Sequence, residues 1–164
     1  MTRRVFFLLA LWVSVSVSAG ENSLQMVGQA RLTFMFWPIY DSRLYSPDGS
    51  FREGQRPLRL EIQYLRDITA SELVVQTRNE WERLQPLSAD EQLWLTSLSR
   101  MWPDVSENDV LALELDEGGG STFLLNGQRL GGIDDPAFGS RFLGIWLSPD
   151  TSRPQLRRSL IGMN

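Results

Sequence analysis

Between residues 30 and 65 apolar and polar side chains alternate with a period of two, the signature of strands with one buried face. In the first segment Arg31, Thr33, Met35 and Trp37 share one face, and Leu32, Phe34 and Phe36 the other. Pro38 interrupts the ladder and predicts a bulge or an edge position. A second segment sets Tyr40, Ser42 and Leu44 against Ile39, Asp41, Arg43 and Tyr45, and Ser46-Pro-Asp-Gly49 closes it as a turn. From 58 to 65, Leu58, Leu60, Ile62 and Tyr64 point inward, with Arg59, Glu61 and Gln63 outward.

The period then changes. Thr69-Ala-Ser-Glu72 is a capping box, with Ile68 and Leu73 placed as a hydrophobic staple, and Leu73, Thr77, Trp81 and Leu84 follow at helical spacing. Ser88-Ala-Asp-Glu91 repeats the box ahead of Leu93, Trp94, Leu98, Met101 and Trp102, and Pro103 stops that helix. From Val110 to Ile133, "DEGGGS" and "NG" separate short apolar runs, which predicts a three-stranded antiparallel meander. Asp135-Pro136 reads as an N-cap and first-turn proline opening a helix through "AFGSRFLGIWL", and Ser152-Arg-Pro154 opens a last short one. Strands, a helix pair, more strands and a terminal helix make an α+β layered domain.

The first 19 residues break this pattern. Arg3 and Arg4 precede an apolar run from Val5 to Val13 and a small-residue stretch ending at Ala19, the order of a secretory signal peptide. The chain therefore divides into a signal peptide, 1–19, and a single domain, 20–164, exported and expected in the periplasm. Without Arg3 and Arg4 the domain keeps 14 arginines against 20 acidic residues, a net charge of −6. An acidic surface with scattered arginines argues against nucleic acid. No later segment is long and apolar enough for a membrane span.

Cys, His and Lys do not occur, so all 16 basic residues are arginines. A Ser-His-Asp triad, a cysteine nucleophile, a Schiff-base lysine and a P-loop lysine are thereby excluded, as are zinc sites built on His or Cys. Asp48, Asp116-Glu117 and Asp134-Asp135 lack the spacing of a calcium loop. The expectation is no metal, no cofactor and no catalytic residue.

One positive charge stands out. Arg31 heads a run containing Phe34, Met35, Phe36 and Trp37, with Tyr40 beyond it. A guanidinium fork suits a carboxylate gripped at two points, and a tyrosine hydroxyl can add a second donor. The ordinary reading of Arg31 is a strand arginine with its head in water. The aromatic run is read first as core, and Arg153, Arg157 and Arg158 as a solvated helix face.

Four segments together resemble the chalcone isomerase-like family: Gly28-Gln-Ala-Arg31, Tyr40 through Tyr45, "YLRDITASELV" at 64–74, and "FGSRFLGIWLSPDTSRPQLRRSLIG" at 138–162. The resemblance is to its exported bacterial branch and covers nearly the whole domain. It implies an antiparallel sheet with helices on one face, an open-faced sandwich with a cleft between the layers. It also implies Arg31 and Tyr40 as ligand-binding residues, with Thr33, Met35, Trp37 and Leu65 lining the cleft. The plant enzymes carry threonine near the place of Tyr40 and a tyrosine where Leu65 stands, and the lysine of their cleft has no counterpart here. Arginine with tyrosine is similar to the non-catalytic plant members that bind fatty acids. The preferred expectation is thus a non-catalytic binder of a fatty acid or similar amphipathic or aromatic carboxylate. An isomerase or lyase acting on an enone or chalcone-like aromatic, and an interaction module with a closed cleft, are the alternatives.

Overall fold

A computed structural model describes residues 23–163; the predicted signal peptide lies outside the described residues. The strands are β1 (Gln25–Phe34), β2 (Trp37–Ser46), β3 (Leu58–Tyr64), β4 (Val110–Leu115), β5 (Ser121–Leu125) and β6 (Gln128–Ile133). They form one antiparallel sheet in chain order, each strand hydrogen-bonded to its sequence neighbour. Helices α1 (Ala70–Leu84) and α2 (Ala89–Met101) separate β3 from β4, and α3 (Pro136–Leu147) and α4 (Pro154–Leu160) follow β6. This is the α+β domain the element order implied and the open-faced sandwich the family resemblance implied.

Both capping boxes form. Thr69 Oγ1 accepts from the Glu72 N–H at 3.2 Å while the Thr69 N–H donates to the Glu72 carboxylate at 2.8 Å. Ser88 and Glu91 repeat the exchange at 3.2 and 2.7 Å. Asp135 caps α3 through the Ala137 N–H. Asn126 and Gly127, both at positive φ, supply the tight β5–β6 turn that an Asn-Gly pair favours. In α2 the inward residues are Glu91, Leu95 and Leu98, and Leu93 is exposed.

The sheet sorts its two faces by register. Leu44 opposes Leu60, Ile62 opposes Leu111, Leu60 opposes Leu113, and Leu113 opposes Phe123, so one buried apolar row crosses four strands. Trp81, Trp102, Phe138 and Phe142 pack down on this row, mostly edge to face. On the other face polar pairs bridge neighbouring strands: Arg31 with Asp41, Arg43 with Gln63, and Arg59 with Glu61 and Glu114. At Gly28 the strand lies so near α4 that a Cβ would overlap the carbonyl oxygens of Ser159 and Leu160, which is how that helix sits directly on β1.

One sequence expectation changes here. The aromatic run is not core: Phe34, Met35, Phe36 and Trp37 are 60, 77, 92 and 72 % exposed. They form the tip of the β1–β2 hairpin, where the chain reverses at Met35 and Phe36 with Met35 at positive φ. The reason is length. The last ladder pair between β2 and β3 is Tyr40 with Tyr64, and the Leu65 N–H reaches no further than the Ile39 carbonyl. Trp37 and Pro38 run on without a third strand beside them, roughly 7 Å beyond the sheet. A register shift after Leu32 accompanies Pro38, as its placement predicted.

A buried ion pair joins the helices. Glu91 meets the Arg141 guanidinium, which also donates to the Trp81 carbonyl at 3.0 Å and lies over the Trp81 ring. Burial alone would raise the Glu91 carboxyl, but the Ser88 N–H and Arg141 outweigh it and hold the group below its ordinary 4.5. Replacing Glu91 with Ala strands a buried cation and is expected to cost about 3–5 kcal/mol, read by thermal denaturation. A depressed carboxylate stabilises above its unfolded pKa and stops doing so as pH falls through its folded value. The gap between wild type and Glu91→Ala should therefore be full at neutral pH and shrink below about pH 4.

Candidate functional site

Where α1 and α3 cross the sheet, the side chains do not fill the space between the layers. A cavity of about 580 Å³ remains. Its walls are apolar: Leu60, Ile62, Leu111 and Leu113 from the sheet, Leu73 from α1, and Phe142 and Ile145 from α3. Leu32, Phe34 and Ile39 extend this surface toward the hairpin tip. The polar lining comprises Tyr40 and Tyr64 from the strands, Ser71, Glu72, Gln76, Thr77 and Glu80 from α1, Ser152 and Arg153 from the α3–α4 loop, and Arg66 and Asp67 from the turn after β3.

Tyr40 is the hinge of this arrangement. It sits half-buried in β2, and its hydroxyl oxygen accepts the Trp146 indole N–H at 2.9 Å. That bond fixes the oxygen and leaves the phenolic proton without an acceptor among the described residues. Burial pushes Tyr40 up to about 12; the Trp146 bond and the nearby Arg153 charge oppose this, and Glu80 adds to it. Tyr64, opposite Tyr40 in the ladder and edge-on to it at 6.3 Å between centroids, is likewise raised by burial. Two neutral phenols thus face the space, each able to donate.

The charges around them are uneven. Glu80 is engaged by Ser152 at 2.9 Å and by Arg83 at 3.4 Å. Arg153 and Arg66, both exposed on the rim, have no carboxylate within ion-pair distance among the described residues. A mouth with two neutral hydroxyl donors and an uncompensated guanidinium is suited to an anion whose remainder is apolar.

The expected site residues divide. Tyr40 lines the cavity, whereas Arg31 does not. Arg31 Nε and Nη2 donate to the two carboxylate oxygens of Asp41 at 2.7 and 2.8 Å, on the solvent face of the sheet. In an antiparallel pair, residues directly opposite share a face, and Tyr40 stands opposite Leu32 while Asp41 stands opposite Arg31. Arg31 and Tyr40 therefore point to opposite sides of one sheet. Thr33, Met35, Trp37 and Leu65 also fall outside the cavity wall. Met35 and Trp37 belong to the exposed tip, and Thr33 shares the face of Arg31. Leu65 lies just past β3, and the preceding Tyr64 takes the inward place.

Residues the sequence reading passed over complete the site. Trp146 belongs to the "FLGIWL" segment, but only its position on α3 over β2 shows its bond to Tyr40. Arg153 stands immediately before Pro154 in a short interhelical loop, a placement at an element junction that its grouping with Arg157 and Arg158 obscured. Arg157 instead donates to the Leu147 carbonyl. The Arg31–Asp41 pair does not close the cavity, because it forms on the far side of the sheet.

The raised phenols give a measurable consequence. Unfolded tyrosine ionises near 10 and folded Tyr40 only near 12, so stability is intact below about pH 10 and falls between about pH 10 and 12. Tyrosinate absorbance followed against pH should show Tyr40 ionising only as the protein unfolds, and Tyr40→Phe should remove part of that alkaline loss.

Known proteins carry the same architecture. The profile of the chalcone isomerase-like family matches residues 11–162. An uncharacterized protein of Haemophilus influenzae is 32% identical over 139 residues, which is 84% of this chain and 68% of that one. The crystal structure of an Arabidopsis thaliana fatty-acid binding protein superposes with a TM-score of 0.67 at 11% identity, covering 88% of this chain and 89% of the plant chain. With a six-stranded sheet roofed by helices and a family match over nearly its whole length, this chain belongs to the chalcone isomerase-like family.

Proposed function

We propose that the protein binds an amphipathic carboxylate of the fatty-acid class between its sheet and helices and does not transform it. The observation that carries this reading is the open, largely apolar cavity of about 580 Å³ lined by the buried Tyr40 hydroxyl and by Arg153. That volume falls within the roughly 300–1,000 Å³ usual for small-molecule sites. In this reading the acyl tail lies among Leu60, Ile62, Leu111 and Phe142, and the carboxylate stays at the mouth. Tyr40 donates its free proton to the carboxylate and Arg153 supplies the opposing charge. The Arabidopsis thaliana fatty-acid binding protein shares the fold, which supports the choice of ligand class by analogy.

The electrostatics favour holding over turnover. A general base works best with a pKa near the operating pH, and Tyr40 at about 12 keeps its proton at neutral pH. A hydroxyl that stays protonated is a constant donor to a bound anion. The absence of His, Cys and Lys leaves no other side chain that ordinarily titrates between pH 5 and 8.

Affinity for a series of saturated fatty acids, measured by calorimetry or by displacement of a fluorescent analogue, tests the assignment. Arg153→Ala is expected to weaken binding roughly tenfold, within the range for a lost charged hydrogen bond. Arg31→Ala should leave it unchanged. Binding lost with Arg31→Ala, untouched by Arg153→Ala, or absent in the wild type would each overturn the reading.

The proposal extends to location: the arginine, apolar and small-residue order of residues 1–19 supports export, with the domain acting in the periplasm. Intact-mass measurement of the protein from a periplasmic fraction should then give a chain starting at Gly20. A chain retaining residues 1–19 in the cytoplasm contradicts it.

A further inference from the structure

Among the described residues the largest apolar side chains left in solvent are concentrated at one place. Phe34, Met35, Phe36 and Trp37 are consecutive, and all four exceed half exposure at the hairpin tip. A solitary exposed phenylalanine needs no explanation, but a contiguous aromatic projection does. Its shape limits what could cover it. A stable protein partner needs on the order of 800 Å² and 20–30 residues from each side. Here a two-residue turn projects past the end of its own sheet with no flat surround, so four side chains form a point instead of a face.

A point made of Phe, Met, Phe and Trp matches the boundary between lipid headgroups and acyl chains, where amphipathic aromatics settle and which yields around them. Two further observations select that occupant. The first is continuity: Phe34 belongs to the tip and also to the cavity rim, with Leu32 and Ile39 behind it, so apolar surface runs unbroken from the projection into the cavity. Half-exposed Val75 of α1 stands on the same rim. The second is charge. Arg66 lies on the rim in the turn after β3, at this end of the sheet, exposed and with no carboxylate within ion-pair distance among the described residues, whereas Arg31, three residues behind Phe34, is paired with Asp41. An unpaired guanidinium a short way behind an apolar tip falls where lipid phosphates lie when the tip is immersed.

We infer that the β1–β2 tip dips into a bilayer surface and sets the cavity mouth against the acyl chains. This deepens the proposed binding function and rests on it for the meaning of the cavity, though tip insertion is a separate physical event. A fatty acid is sparingly soluble and partitions into membranes, so a binder whose mouth touches the bilayer exchanges its ligand without passing the tail through water. Phe36 and Trp37 are mostly in solvent and outside the cavity lining, so they can be altered without disturbing the core.

The test uses protein expressed from the full chain and vesicles of phosphatidylcholine with one-third phosphatidylglycerol. Wild type, Phe36→Glu/Trp37→Glu and Trp37→Phe are compared in the same processed form by flotation. The double variant is expected to show at least a roughly tenfold lower vesicle-bound fraction, from two lost apolar insertions and two added charges. Trp37→Phe should float like wild type, yet lose the quenching of tryptophan emission that acyl-brominated lipid produces at Trp37. An unchanged melting temperature and unchanged affinity for soluble fatty acid in the double variant would show that fold and cavity survive. Equal flotation of wild type and double variant overturns the inference, as does a wild type that does not float. A self-association that the double variant abolishes, without vesicle binding, would overturn it in favour of a second copy. Loss of fatty-acid binding in every form, with flotation still dependent on the tip, would sink the binding function and leave membrane contact standing.

Discussion

In the β1–β2 hairpin Leu32 lies opposite Tyr40 and Arg31 opposite Asp41, and this register decides what the protein can offer a ligand. Side chains in a strand alternate with a period of two, so a single-residue offset exchanges the inner face for the outer one. With this pairing Tyr40 faces the helices, where Trp146 can hold its oxygen and burial can keep it protonated. Arg31 faces water and finds its counter-charge on the neighbouring strand. Such an exposed ion pair adds little to stability. Its effect is to hold Arg31 on the solvent face, so that the arginines in the cavity lining are Arg66 and Arg153.

The cavity itself follows from how the helices are distributed over the sheet. Six strands at about 4.8 Å spacing make a surface roughly 24 Å wide, more than two helices can roof closely. Trp81, Trp102, Phe123, Phe138 and Phe142 close the space over the meander side. Helix α4 closes the Gly28 end of β1, where the missing Cβ allows backbone to touch backbone. The opposite end of the hairpin receives neither helix nor third strand. There the apolar surface of Leu32, Phe34 and Ile39 stays open, and both the mouth and the projecting tip are found at that end.

The same geometry separates two kinds of polar chemistry. On the solvent face charges meet in pairs across strands, as Arg59 does with Glu61 and Glu114. On the cavity side burial keeps the Tyr40 and Tyr64 phenols neutral, the Trp146 indole joins Tyr40, and the charged lining groups include Glu72, Glu80, Arg66 and Arg153. In the proposed binding reading, a carboxylate at the mouth exchanges water for the donors of Tyr40 and Arg153. In the same reading, the acyl chain lies against Leu60, Ile62, Leu111 and Phe142. Neither face could exchange roles with the other without a buried and unpaired charge.

Much of this was legible in the chain itself. The alternation in 58–64, both capping boxes, the Asn-Gly turn and the Asp135-Pro136 helix start are local signals, and local signals survive folding because they depend on neighbours within a few residues. The absence of His, Cys and Lys likewise bounded the chemistry before any coordinates were known. The family resemblance named Tyr40 and Arg31 together, but only the pairing partner of each shows that they diverge. Whether Phe34 to Trp37 is core or surface depends on where β3 ends, and β3 lies some twenty residues away. Arg153 becomes a candidate anchor only because the α3–α4 loop returns to the side of β2. Sequence determined the elements and the available side chains; tertiary structure decided their neighbours across strands and layers, since facing and burial arise from contacts between distant segments.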